Sequence, residues 1–122
     1  MKDRFKFRVW DGEKLHHPDF ITFYDDGEWE AYCISDPKKI AWSEHENHVV
    51  MQCTGRKDRN GELIYEGDVL KAHGYVIWND IEDRWSAVDL NWNDQREIHA
   101  LDYLTSPFEV IGNIYENPDL LT

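Results

Sequence analysis

Apolar and polar residues alternate along this chain in short runs, broken by Gly-, Asp- and Asn-bearing steps. A period of two predicts strands with one packed and one solvated face. Phe5, Phe7 and Val9 alternate with Arg4, Lys6 and Arg8, giving a first strand with an apolar and a charged face. Trp10-Asp11-Gly12 ends it, because Asp-Gly favours a tight turn. Residues 20–24 and 29–34 predict a hairpin across Asp25-Asp26-Gly27-Glu28, with Trp29, Ala31 and Cys33 opposed to Glu30, Tyr32 and Ile34. Residues 35–39 hold Pro37 and read as a loop, 40–43 as a short edge piece and 44–47 as solvated chain.

The second half repeats the pattern. Residues 49–54 predict a strand, 54–61 a polar turn region with an Asn-Gly step, and Leu63-Ile64-Tyr65 another strand. Glu66-Gly67-Asp68 is a second tight turn before Val69 and Leu70. Residues 75–78 and 85–92 predict two strands joined by an acidic turn at 79–84. Ile98, Leu101 and Leu104 stand at i, i+3 and i+6, so 93–104 is the one helix the pattern offers, with an irregular loop as its rival. Pro107 ends that stretch. Residues 108–115 predict a last strand, with Gly112 at a bend or a tight contact, and Asn117-Pro118 opens a tail with the cap and first position of one helical turn. Many short strands between turns predict a mainly β chain with a small-barrel architecture. An SH3-like barrel is expected from about 49 to 122, with the N-terminal strand and hairpin of residues 1–48 packed on it in a single domain.

Composition narrows the function classes. With 122 residues the chain suits one domain, and 41% hydrophobic content is ordinary for a folded protein. Six Trp, six Tyr and five Phe fit half-buried pleated faces. Thirteen Lys and Arg stand against 25 Asp and Glu, a net charge of −12, which repels phosphate backbones. Two local basic clusters, Arg4-Lys6-Arg8 and Arg56-Lys57-Arg59, leave a local basic patch open within that balance. Cys33 and Cys53 form no C-x-x-C pair, and the first residues lack an apolar export stretch. A reducing cytoplasm with two free thiols is therefore the expectation. No run approaches the roughly 18 apolar residues of a membrane span.

Candidate chemistry is sparse. His45 and His48 lie three apart in Glu44-His45-Glu46-Asn47-His48 without a local set of four ligands, His16 and His17 are adjacent, and His73 and His99 stand alone. No metal and no cofactor is expected. Neither Ser nor Cys lies in a nucleophile motif, and no phosphate-binding Gly-rich loop occurs. No catalytic residue is assigned. The acidic clusters Asp25-Asp26-Glu28 and Asp80-Glu82-Asp83 fall on turns, where Asp bonds to backbone. Trp10, Trp42 and Trp92 lie at strand ends or loops, where aromatic side chains on small barrels form binding surfaces as well as packing rims.

Three blocks carry a resemblance: Phe7-Arg8-Val9-Trp10-Asp11, the stretch Met51 through Thr54-Gly55, Asp58, Gly61 and Tyr65-Glu66-Gly67-Asp68, and Phe108 through Gly112-Asn113, Tyr115 and Asn117-Pro118. In order and across both ends, they resemble the YopX family of phage and prophage proteins. The resemblance implies a phage or prophage origin in a bacterial cytoplasm and a β-rich fold with an SH3-like barrel in its later part; it supplies no activity. The motif residues Arg8, Trp10, Asp11, Thr54, Gly55, Asp58, Gly61, Tyr65, Glu66, Gly67, Asp68, Gly112, Asn113, Tyr115 and Asn117 are read first as holders of the fold and second as a shared binding site. Gly55, Gly61, Gly67 and Gly112 suit positive φ or close packing, Asp58 and Asp68 suit bonds to turn backbone, and Arg8 and Asp11 suit pairing or carbonyl contacts.

The leading functional expectation is a non-enzymatic protein-binding module whose partner is another protein, with a second copy of the chain also open as partner. Its rivals are an acidic mimic of nucleic acid that blocks a host DNA-binding protein, an enzyme whose site is assembled from distant residues, and direct nucleic-acid binding through Arg56-Lys57-Arg59.

Overall fold

In the computed structural model residues 6–33, 39–90, 96–104 and 108–121 are described. Phe5, Ile34, Trp92, Pro107 and the residues 35–38 and 93–95, all used in the strand and loop assignments above, lie outside them. The described chain is mainly β, with no α-helix among those residues. It divides into two compact units, Lys6–Gln52 and Cys53 onward.

In the first unit, β1 (Phe7–Trp10) pairs with β2 (Leu15–His16) and with the start of β6 (Val49–Lys57), both antiparallel. A separate three-stranded sheet runs β3 (Phe20–Phe23), β4 (Trp29–Tyr32), β5 (Lys39–Trp42). Val9, Trp29, Ala31 and Ala41 form its core, with Ile21, Ile40 and Val50 against them. Burying such apolar area, at about 25 cal/mol per Å², is what holds these short strands. Arg8 departs from the charged-face expectation. It is buried, with 6% of its surface exposed, because β1 is covered on both faces.

In the second unit, the end of β6 pairs with β7 (Leu63–Tyr65). A five-stranded antiparallel sheet of β8 (Asp68–Leu70), β9 (Gly74–Asn79), β10 (Arg84–Leu90), β11 (Arg96–Ala100) and β12 (Val110–Asn113) has the order β11-β10-β9-β8-β12. It curls as a half-barrel around Ile64, Leu70, Val76, Ala87, Leu101 and Phe108. That order fits the SH3-like reading without specifying it.

Two local expectations are corrected. β6 continues through Lys57 rather than ending at Thr54, with a bulge against β7 between Cys53 and Lys57 that absorbs the polar residues. Residues 96–100 are strand, not helix, with Ser86↔Ala100 through Leu90↔Arg96 as partners. The open edge of β10 supplies backbone hydrogen bonds along its length. The apolar spacing supplied no buried helical face, since Leu101 is 1% exposed and Ile98 52%. Among the described residues helical geometry is confined to two 3-10 turns, Leu101–Tyr103 and Pro118–Leu121, the latter where the tail was expected to turn. Among the described residues no helix is long and apolar enough to cross a membrane.

Candidate binding site

Most of the motif residues tie turns together. Asp58, 7% exposed, receives three backbone N–H bonds: Asn60 (2.9 Å) and Glu62 (2.9 Å) on Oδ1, and Val110 (3.1 Å), fifty-two residues away, on Oδ2. Burial raises its pKa, but those N–H groups and the Arg59 charge outweigh burial and hold it below the ordinary carboxylate value. Asp68, 2% exposed, accepts the Tyr65 N–H at 2.8 Å across the Glu66-Gly67 turn. The hydroxyl of Thr54 donates to the Ile64 carbonyl at 2.8 Å and accepts from Arg56 N–H. Asn113 Oδ1 accepts from the N–H groups of Tyr115 (3.0 Å) and Glu116 (2.8 Å), while Asn117 Oδ1 accepts from Asn113 N–H (3.2 Å). Gly55, Gly61 and Gly67 lie in the left-handed region. Gly112 is required for space, since a Cβ there would lie 2.5 Å from Asn117 Oδ1 and 2.8 Å from Leu120 Cδ1.

In the first unit Trp10 is half-buried between Leu15 and Val49 in the strand register. The Asp11 carboxylate accepts the N–H groups of Glu13 (2.8 Å) and Lys14 (2.7 Å), and pairs with His16 Nε2 at 2.7 Å. Burial opposes ionisation, yet these bonds bring its pKa down to about 2. These geometries are those of residues that hold turns.

His45 and His48 do not converge with carboxylates on a common point. Their rings stack at 3.8 Å and 10°, against the edge of the Trp42 ring. His48 Nδ1 accepts the backbone N–H of Trp42 (3.1 Å), and His45 Nδ1 accepts that of Asn47 (3.2 Å). The His48 ring is thus a neutral Nε2–H tautomer in this arrangement. Among the described residues no three His, Cys, Asp or Glu side chains are grouped to hold a metal. Burial, then the neighbouring His45, lowers the His48 pKa below 6.5, and burial followed by the Arg8 and His16 charges does the same for His17. A histidine whose folded pKa is depressed resists a proton that the unfolded chain accepts. Stability is therefore expected to be full above about pH 6.5 and to decline as pH falls through the folded values. Thermal melts from pH 7.5 to 5 check this, and His48→Gln is expected to flatten part of the slope.

The three-stranded sheet carries a groove of about 260 Å³. Period-two alternation turns Glu30 and Tyr32 to the face opposite Trp29 and Ala31, and cross-strand register brings Trp42 beside Glu30 and Lys39 beside Tyr32. Glu30 collects three donors: the Tyr24 hydroxyl, the Tyr32 hydroxyl (3.1 Å) and Lys39 Nζ (3.0 Å). These bonds hold Glu30 below the usual carboxylate value, the Tyr24 hydroxyl bond being the largest influence, and Tyr24 is raised in turn. Lys39 Nζ also sits 4.8 Å from the centroid of the Trp42 ring, in cation–π range. Ser43 donates to Glu28 and accepts the Trp29 N–H at 2.8 Å, fastening β4 to the end of β5. Asp26 and Glu44 complete an acidic rim. Beside the groove Phe20 (48% exposed) stacks on Tyr32 at 5.2 Å, and Tyr24 is about half exposed; Phe23 pairs with Trp29 in the register and packs on Phe7 at 5.4 Å, away from the groove. Of this site, sequence reasoning singled out only Trp42. It assigned the Asp25-Asp26-Glu28 run to a turn alone, although the opposition of Glu30 and Tyr32 to Trp29 and Ala31 was the signal available.

A half-barrel sheet, a second small sheet and a turn network built on Asp58, Asp68 and Asn113 define a small all-β protein with a surface groove. The family model described as YopX protein matches residues 6–122, and the chain belongs to that family. It is 24% identical to the SPbeta prophage-derived uncharacterized protein YopX of Bacillus subtilis (strain 168), over 94% of each chain. Among solved structures, the crystal structure of yopX from Bacillus subtilis is similar with a TM-score of 0.61 and 23% identity, covering 98% of this chain and 99% of that one. Protein EF1440 from Enterococcus faecalis is similar with a TM-score of 0.51 and 24% identity, covering 96% and 97%. At these identities the structural likeness carries the fold.

Proposed function

We propose that this prophage-type protein is a non-enzymatic module that binds another protein through the groove on the β3-β4-β5 sheet, in the cytoplasm of a bacterial host. The observation that carries the reading is the groove itself: a 260 Å³ concavity lined by Trp42 and half-exposed Tyr24, with exposed Phe20 stacked on Tyr32 beside it. Recognition surfaces combine such aromatic anchors with a polar rim. The hydroxyls of Tyr24 and Ser43 are bonded to Glu30 and Glu28, so they brace the walls rather than await a substrate. The carboxylates of Asp11, Asp58 and Asp68 are engaged with backbone N–H groups, which counts against a surface that mimics a row of phosphates.

A random peptide library displayed against the full chain tests this. Binding clones are expected, and at least ten-fold weaker binding of those clones by a Trp42→Ala variant that keeps the wild-type circular dichroism spectrum. Clones that bind wild type and variant equally would remove the groove as the site.

A further inference from the structure

The groove already holds one cation. Lys39 reaches across it, ion-paired to Glu30 at 3.0 Å and 4.8 Å from the Trp42 ring centroid. Its side chain remains 38% exposed, so it is laid over the wall rather than buried in it. Around it the rim carries four carboxylates, Asp26, Glu28, Glu30 and Glu44, against this single ammonium. The chain as a whole carries −12. An aromatic face flanked by carboxylates is the chemistry that takes up an ammonium or guanidinium.

We infer that the groove recognises a Lys or Arg side chain in a basic segment of a protein partner, and that Lys39 occupies the place over Trp42 that the partner's cation takes. This rests on the binding reading above. Three features favour a protein segment as the source of the cation. The acidic rim complements a basic stretch. The aromatic border of Phe20 and Tyr24 extends the contact beyond one side chain. Strand β3 lies at the edge of its sheet, where an extended chain is accommodated. Lys39 then acts as a built-in competitor. The incoming cation must displace it from Glu30 and Trp42, so the intrinsic affinity of the groove is masked by a residue of the same charge.

Removing the competitor gives the test. Acetylated, amidated tetra-arginine and tetra-lysine are titrated into the full chain at 150 mM salt, with tetra-glutamate as the opposite-charge control and tryptophan fluorescence as the readout. Lys39→Ala is expected to tighten binding of the basic peptides about ten-fold, and Lys39→Gln to do the same if alanine perturbs β5. Lys71→Ala removes the same charge from an exposed lysine in the other unit and is expected to change affinity by less than two-fold. Glu30→Gln is expected to weaken binding ten-fold. An unchanged or weaker affinity in both Lys39 variants would overturn the inference. So would equal tightening by Lys71→Ala, or absence of basic-peptide binding by any variant at millimolar concentration. Library peptides of another chemistry that still depend on Trp42 would overturn the cation assignment while leaving the binding module in place.

Discussion

Gly74→Ala is expected to destabilise the second unit by about 4 kcal/mol, enough to leave much of it unfolded at 37 °C. Gly74 opens β9 at φ +91°, in the left-handed region. A Cβ built there would stand 1.9 Å from the Val88 carbonyl oxygen, 2.6 Å from its carbon and 2.9 Å from Asp89 Cα. All three are backbone atoms of β10, fixed by the pairing of Val88 with Tyr75. No rotamer change relieves the overlap; the strands must part, and the sheet holding Val76 and Ala87 in the core parts with them. Gly27 and Gly61 supply the control. Their φ values are +88° and +81°, but nothing lies within 4 Å of an added Cβ. Alanine there meets only the backbone penalty of roughly 1–2 kcal/mol. Urea unfolding of the three variants measures the difference.

Asp58→Ala is expected to cost about 3–4 kcal/mol. It strands the N–H groups of Asn60, Glu62 and Val110 at once, beside a residue that is itself buried. The Val110 bond matters most for the fold, because it ties the turn after β6 to the start of β12, as does the 2.7 Å bond from Arg59 N–H to the Phe108 carbonyl. Asp58→Asn keeps an acceptor for one side of the turn and sets an amide N–H₂ against another donor, so about half the loss is expected. The sign with acid follows from its lowered pKa. The carboxylate stabilises the fold above the unfolded value of 3.8, and that contribution is lost as pH falls through the folded one. Asp58→Asn removes this part of the acid dependence, which unfolding curves at pH 6 and pH 3 resolve.

The strands and most turns were legible because they rest on local physics: alternation placed β1 and β4, short apolar runs between turns placed β3, β9 and β10, and Asp-Gly and Asn-Gly steps placed bends. What failed was set by distant partners. Residues 96–100 became a strand because β10 offered an unpaired edge, a fact no spacing of Ile98, Leu101 and Leu104 contains. Arg8 was assigned to a solvated face because alternation cannot tell a strand covered on one side from one covered on both. Asp58 was read correctly as a turn acceptor, but its bond to Val110 spans fifty-two residues. The groove was missed for the same reason. Glu30, Lys39 and Trp42 meet only through the register of β4 with β5, and that register shifts at a bulge between Ala31 and Tyr32.

The proposed function divides labour: the motif turns of Asp58, Asp68 and Asn113 hold the fold, and the Trp42 groove binds. Backbone amide NMR of the labelled protein during titration with a tetra-arginine peptide tests it most directly. The largest shift changes are expected on Tyr24, Glu30, Lys39, Trp42 and Ser43, with the amides of residues 58–68 and 113–117 unmoved. Shifts centred on those turn amides instead, with the groove silent, would contradict it.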